Sequence, residues 1–445
     1  MGKRRRSQDQ EEDGDRREKR SRGHSRKNPL EDRTELAAVE APDATPRART
    51  VSTENRFLSL GCAVKSEAKS EECRRWTYSS RDFSSFKERI VFVSYNILGV
   101  KNAEKHQDLY CNVRPEFLKW RRRKRLIRRE IKGYNASIIC FQEVDCFDDL
   151  AILLRKYGFT GIYKARTGEA NDGCAMFWKD EQFTIVHQEN LEFKTFDLRD
   201  NVAQLCVLKM NQIDSETMPQ SARTSKHYGT RYLLVGNIHV LFNPSRGDIK
   251  LGQIRLLLEK ARKLSQKWGD IPAIFGGDLN SVPQSAIYQF LASSELDVRL
   301  HHRKDICKKI EDTSYSRVIR HYRTSTSGFH CAATPRRFYW SSEELRLATG
   351  HERISHIRHT WKLFSAYMGI PGSSRTRDDF GEPLVTSYHS KFMGTVDYIW
   401  HTEGLVPVRV LETLPVNILR RLGGLPSEKW GSDHLALVCE LALVD

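Results

Sequence analysis

Arg89-Ile90-Val91-Phe92-Val93-Ser94-Tyr95-Asn96 is a run of β-branched and aromatic residues that ends on a polar amide. Such a run reads as a buried strand that delivers Asn96 to its end. The pattern then repeats along the chain. Ala136-Ser137-Ile138-Ile139-Cys140-Phe141-Gln142-Glu143 is a second buried strand, closing on a carboxylate. Arg231 to Val240 is a third and carries Gly-Asn-Ile-His at 236–239, and Pro272 to Gly276 leads into Gly-Gly-Asp-Leu-Asn at 276–280. Two final strands, Gly394 to His401 and Leu435 to Leu443, lie on either side of Gly-Ser-Asp-His at 431–434.

Helical spacing fills the gaps between these runs. Phe117, Trp120, Leu126, Ile127 and Ile131 predict a helix from Glu116 to Lys132, with Pro115 in its first turn and Gly133 at its end. Asp148 to Tyr157 predicts a short helix and 249–268 an amphipathic one, with strand-like runs at 174–178, 183–187 and 203–208. Residues 300–380 are rich in Ser, Thr, His and Arg and predict a long insertion with helices near 342–348 and 352–365. Strands alternating with helices, with hairpin-like strands between, define a mixed α/β layered domain. Ligand sites in such folds gather where polar residues end the strands.

Composition bounds the function. Residues 1–80 form a predicted disordered tail, dominated over 1–50 by charged residues with almost no aromatic ones, and 81–445 form the folded domain. The formal charge of +16 lies mostly outside the tail and favours polyanionic partners. Lys3-Arg4-Arg5-Arg6 and Arg16-Arg17-Glu18-Lys19-Arg20 resemble a bipartite nuclear localisation signal, so both nucleus and cytoplasm are expected locations. The run Arg121-Arg122-Arg123-Lys124-Arg125 reads as a solvated helix face, or else as a nucleic-acid contact. No apolar stretch is long enough for a transmembrane helix, so no membrane partner is expected. The ten cysteines show no Cys-x-x-Cys pair, which predicts free thiols; His301, His302, Cys307, His330 and Cys331 match no structural zinc spacing.

The polar strand ends supply carboxylates, amides and imidazoles without a thiol or serine nucleophile, an inventory suited to metal-assisted attack of water on a phosphate ester. Glu143 and Asn96 are hard oxygen ligands for magnesium, with Asp433 as a further candidate. Asp278 is placed to activate or orient water, and Asn280 to donate to a phosphate oxygen or a base. His434 offers an imidazole to developing negative charge, Asp397 is the best candidate to fix its tautomer, and His239 is a second imidazole for the phosphate. Any one of these residues alone could simply cap a strand or satisfy a turn.

Taken together, Ser-Tyr-Asn-Ile-Leu (94–98), Phe-Gln-Glu-Val (141–144), Gly-Gly-Asp-Leu-Asn-Ser (276–281), Val-Asp-Tyr-Ile (396–399) and Gly-Ser-Asp-His (431–434) resemble the sequential motifs of the endonuclease/exonuclease/phosphatase superfamily. Within it the chain is most similar to the carbon-catabolite-repressor deadenylases, with nocturnin and Angel as near relatives. Phe242-Asn243-Pro244-Ser245-Arg246-Gly247-Asp248-Ile249-Lys250 and Ser390-Lys391-Phe392-Met393-Gly394-Thr395-Val396-Asp397-Tyr398 look like the plant short homologues of that branch. The resemblance spans roughly residues 88 to 443. It implies two packed mixed β-sheets flanked by helices, the four-layer sandwich of DNase I-like enzymes. It implies one or two Mg²⁺ ions (Mn²⁺ as a substitute) at Asn96 and Glu143, with Asp278, Asn280, Asp397 and His434 catalytic and His239 on the scissile phosphate. It also implies an adenine pocket of Pro244, Asn280 and Phe392, whose ring offers a stacking face to single-stranded RNA.

The activity so implied is 3′-to-5′ exoribonuclease action on poly(A) tails with release of 5′-AMP. The alternatives are a phosphoesterase of the same fold acting on a nucleotide 2′-phosphate or a 2′,3′-cyclic end, and a silent RNA-binding scaffold. Yeast and animal deadenylases of this branch carry a leucine-rich repeat that docks a deadenylation complex. Here a polar tail stands in that place, so attachment to the complex does not carry over with the motifs.

Overall fold

The computed structural model describes residues 73–86, 88–211, 230–308 and 337–444. The localisation clusters, most of the predicted tail, His330 and Cys331 lie outside them. The described strands are β1 (Trp76–Tyr78), β2 (Arg89–Asn96), β3 (Ile138–Val144), β4 (Phe159–Ala165), β5 (Gly173–Lys179), β6 (Phe183–Glu192), β7 (Val202–Met210), β8 (Tyr232–His239) and β9 (Ala273–Asp278). They continue with β10 (Glu295–Asp297), β11 (His356–Arg358), β12 (Leu363–Ser365), β13 (Ser387–His389), β14 (Phe392–Gly394), β15 (Asp397–Thr402), β16 (Leu405–Leu411) and β17 (Leu437–Leu443).

One sheet runs β1-β16-β17-β2-β3-β5-β4 and the other β12-β15-β9-β8-β7-β6. Each contains one parallel pair, β2 with β3 and β8 with β9, among antiparallel neighbours. β2 shows why its sequence lacks alternation: every residue after Arg89 is buried. Ile90 and Phe92 point into the core between the sheets, beside Val235, Ile274 and Ile399 of the opposite sheet. Val91, Val93 and Tyr95 point the other way, under Ile127 and Ile131 of the helix Trp120–Tyr134. The second sheet is covered by the helix Gly247–Lys267, whose Ile254, Leu257 and Leu258 join Leu205, Leu234 and Phe275. Helix, sheet, sheet and helix therefore stack as four layers around three apolar clusters, the sandwich implied by the motifs.

Glycine permits the closest approach. A Cβ on Gly276 would lie 2.7 Å from the Phe92 ring, and one on Gly277 would lie 2.1 Å from the Ile238 carbonyl oxygen. Side chains there would push β9 away from β2 and β8, and with it the Asp278 that follows.

Several local expectations are corrected. The folded body starts ahead of residue 81, because Trp76–Tyr78 pair with β16. The helix predicted from Glu116 is two, Pro115–Leu118 and Trp120–Tyr134, separated at Lys119 by an extended backbone. Gly133 lies inside the second helix, and Asn135, at φ 51°, ends it. Residues 352–365 form β11 and β12 rather than a helix. The described parts of 300–380 are woven into the core through Trp340, Ile357, Trp361 and Leu363 instead of being a detached insertion. The strand predicted from Gly394 to His401 divides into β14 and β15, because the backbone amides of Val396 and Asp397 turn aside to donate to the Thr386 hydroxyl.

Candidate active site

The site occupies the ends of β2, β3, β8, β9 and β15 and the 431–434 loop. Asn96 and Gln142 are register partners on β2 and β3, and β3 loses its register with β5 between Phe141 and Val144. That irregularity carries Glu143 into a left-handed backbone, φ 56°, and turns its side chain out of the ladder. The carboxylate is then held firmly: Oε2 accepts from the Gly99 amide at 3.0 Å and from Asn102 Nδ2 at 2.8 Å, and Oε1 accepts from Asn96 Nδ2 at 3.0 Å. Burial pushes Glu143 up, but the charge of His239 and the amides of Asn102 and Asn96 outweigh it and hold the carboxyl below its ordinary value.

Asp278 closes β9 and faces Asp397, its register partner on β15. Its Oδ1 accepts from the Asn280 amide at 2.8 Å, and its Oδ2 accepts from Asn96 Nδ2 at 3.1 Å. The same Oδ2 lies 3.5 Å from His239 Nε2 and 3.9 Å from His434 Nε2. Asn280, at φ 46°, donates through Nδ2 to the Val240 carbonyl at 3.0 Å and lies 3.3 Å from His239 Nε2. Its own carbonyl accepts from Lys250 Nζ at 2.7 Å, and that lysine is entirely buried.

His434 Nδ1 meets Asp397 Oδ2 at 2.8 Å. Burial works against a charge on His434, but Asp397, Asp433 and Asp278 overcome it and raise the imidazole to about 10. Asp397 is raised by burial, with His434 opposing the shift. Asp433, also raised by burial, accepts from the Tyr110 hydroxyl at 2.9 Å.

The structure thus gathers Asn96, Glu143, His239, Asp278, Asn280, Asp397, Asp433 and His434 within one linked set. Pro244 lies between β8 and the helix that carries Lys250, its carbonyl accepting from the Cys307 thiol at 3.4 Å. Phe392 lies on β14 and is only 9% exposed; its ring covers Gly394, where a Cβ would come within 2.9 Å. Motif spacing does not single out Gln142, Asn102, Tyr110 or Lys250, all of which the folded site uses. Gln142 and Lys250 stand inside the motif stretches and are legible there as polar residues among apolar neighbours. Asn102 and Tyr110 carry no local signal, since only the folded chain brings them to Glu143 and Asp433.

The residues fit a divalent cation. A single amide nitrogen, Asn96 Nδ2, stands between the Glu143 and Asp278 carboxylates, and one Asp397 oxygen, Oδ1, is buried without a partner. Asp278, Asp397 and His434 also bring ligand atoms within 4.8 Å of one another. Converging carboxylates, with one Asp397 oxygen still without a partner, are the hard-oxygen setting that such ions satisfy.

Fold and site together define a phosphoester hydrolase, and the chain belongs to the Endonuclease/Exonuclease/phosphatase family, whose pattern matches residues 93–434. It is 56% identical over 383 residues to Carbon catabolite repressor protein 4 homolog 5 of Arabidopsis thaliana, covering 86% of this chain and 83% of that protein. Homolog 3 from the same plant is 46% identical over 374 residues, covering 83% and 79%. Among solved structures, ANGEL2, a 2′,3′-cyclic phosphatase in complex with adenosine-2′,3′-vanadate, is 28% identical with a TM-score of 0.64, covering 83% of this chain and 99% of that one. Members of this family are generally dependent on divalent metals, which the carboxylate set accommodates.

Proposed function

We propose that the protein is a Mg²⁺-dependent 3′-to-5′ exoribonuclease that shortens poly(A) and releases 5′-AMP. The observation that carries the reading is the set Asp397–His434–Asp278 beside the Asn96-linked Glu143 carboxylate, which brings an imidazole and three carboxylates together at the strand ends. Glu143 and Asn96 would hold the ion, which when bound polarises a phosphoryl oxygen as a Lewis acid. Asp278 accepts a hydrogen bond from the attacking water and takes its proton as the P–O3′ bond to the preceding nucleotide breaks, the departing 3′-oxygen taking a proton from solvent. His434, oriented through Nδ1 by Asp397, presents Nε2–H to the charge that builds on phosphorus, while His239 and Asn280 hold the remaining phosphate oxygens. Pro244 and Phe392 are the proposed adenine contacts.

A second reading is favoured by one specific likeness, that to the 2′,3′-cyclic phosphatase ANGEL2. Purified protein incubated with A₂₀, U₂₀, NADP⁺ and RNA ending in a 2′,3′-cyclic phosphate separates the two. The exonuclease reading expects A₂₀ to shorten stepwise with 5′-AMP released, faster than U₂₀, and to stop on addition of a chelator. Opening of the cyclic end with A₂₀ left at full length would replace it with the phosphatase reading. Residence in nucleus and cytoplasm belongs to the same proposal and rests on the basic N-terminal clusters.

A further inference from the structure

The basic run on the helix Trp120–Tyr134 is divided by burial, and the catalytic reading uses none of it. Arg123 turns inward and is wholly buried, donating through Nη1 to the carbonyls of Ile97 and Leu98 at 2.7 and 2.8 Å. Those carbonyls directly follow Asn96, so the first half of the helix lies against the loop that leaves the site. Arg121, Arg125, Arg128, Arg129 and Lys132 face outward and are exposed. Lys124 pairs with Asp149 at 3.0 Å, and Arg128 Nε donates to the Tyr157 hydroxyl at 2.9 Å. Arg121, Arg125, Arg129 and Lys132 meet no carboxylate among the described residues. The helix's single acid, Glu130, is turned inward onto the Tyr95 and Tyr134 hydroxyls at 3.1 and 2.8 Å and does not offset them.

A second group of basic residues is tied to the same helix. Arg122 Nη2 reaches the Glu428 carbonyl at 3.3 Å, and the Leu425 amide of the same loop donates to Tyr388 on β13 at 3.1 Å. Exposed Lys429 lies on this loop, and exposed Arg420 and Arg421 lie at the end of the helix Val416–Leu422 that precedes it.

We propose that this face binds the phosphodiester backbone of single-stranded RNA on the 5′ side of the nucleotide being removed. The proposal rests on the RNA reading above. At 1.5 Å per residue, the span from Arg121 to Lys132 is roughly 16 Å, the reach of a polymer rather than of one nucleotide. Unpaired guanidinium groups in a row release counterions from a polyanion and confer affinity without reading sequence. The helix exposes no large apolar side chain of the kind a membrane surface would take up.

The test is the full-length triple variant Arg125→Gln/Arg129→Gln/Lys132→Gln, all at exposed positions, compared with the wild type. Binding of fluorescent A₂₀ and of triadenylate is measured by anisotropy across a salt series with chelator present, so that no turnover is needed. The expected result is about 10-fold or greater weakening for A₂₀ and no change for triadenylate. The slope of log affinity against log salt should be shallower by about 2, at roughly 0.7 for each phosphate no longer neutralised. Unchanged A₂₀ affinity, equal weakening on both oligomers, or loss of binding to anionic vesicles in place of RNA would each overturn the proposal. If A₂₀ binds with this salt dependence yet is never shortened, the exonuclease reading fails and the binding surface stands.

Discussion

Asp278 is where the two sheets meet chemically: it ends β9 of one, accepts from Asn96 of the other, and lies within 4 Å of two imidazoles. Asp278→Asn keeps its shape and removes the charge proposed to take up the water's proton, so kcat should fall by at least about 10²-fold while RNA binding persists. A raised KM with unchanged kcat would move Asp278 from chemistry to binding. Glu143 answers to a different measurement. With the ion at 100 times its dissociation constant, the wild type should gain about 2.7 kcal/mol of stability, seen as a rise in Tm on titrating Mg²⁺. Glu143→Ala should flatten that titration, and an unaltered rise would place the ion elsewhere.

At the scale of elements, the helix Gly247–Lys267 does more than cover its sheet. Lys250 reaches from it to the Asn280 carbonyl and so holds the left-handed turn after β9. Lys250→Met leaves that carbonyl without its donor. It should lower kcat about 10-fold with little change in KM for A₂₀, and thermal melting should show a loss of about 1–3 kcal/mol. Equal kcat in the variant would make the lysine a packing residue alone. Elements of this kind also mark how far the sequence can be read. β2, β3, β8, β9 and β17 announce themselves because both their faces are buried and apolar residues dominate their runs. β4 does not, since one of its faces is solvated and Thr160, Tyr163 and Lys164 blur the run. β12 falls in a stretch expected to be helical, although Trp361 and Leu363 stand at the two-residue strand period, and the pairing of Leu363–Ser365 with β15 decides. The site residues at strand ends are legible as types in order. Their partners are not, because Gly99, Asn102 and Tyr110 come to Glu143 and Asp433 only through packing of the 99–118 segment.

For the molecule as a whole, polar groups fasten the sheets where an apolar core would let them slide. Asn237 on β8 donates to the Phe141 and Ala175 carbonyls of the opposite sheet at 3.1 and 3.0 Å, and accepts from Gln142 at 2.8 Å. Asn237→Leu should cost about 1–3 kcal/mol for each buried group left unpaired, measured by denaturant unfolding. A second global property follows from Glu382, 1% exposed and bonded to the Tyr288 hydroxyl at 2.7 Å. Burial raises its carboxyl from 4.5 to about 7. The folded state therefore holds this proton more tightly than the unfolded chain, so its contribution is complete below about pH 4.5 and is lost as pH rises through 7. Glu382→Gln, which mimics the protonated form, should match the wild type near pH 4.5 and exceed it by up to about 3 kcal/mol at pH 8. Parallel stability profiles would remove Glu382 as the cause.

The Asn237 tie has one more consequence. Asn96 and Glu143 are supplied by one sheet, and His239, Asp278 and Asp397 by the other, so the proposed active site straddles a seam. Turnover is then a gauge of alignment between two bodies rather than of the integrity of either. In an Asn237 variant, activity should vanish at a denaturant concentration at which both sheets still resist hydrogen exchange. In the wild type the two losses should coincide.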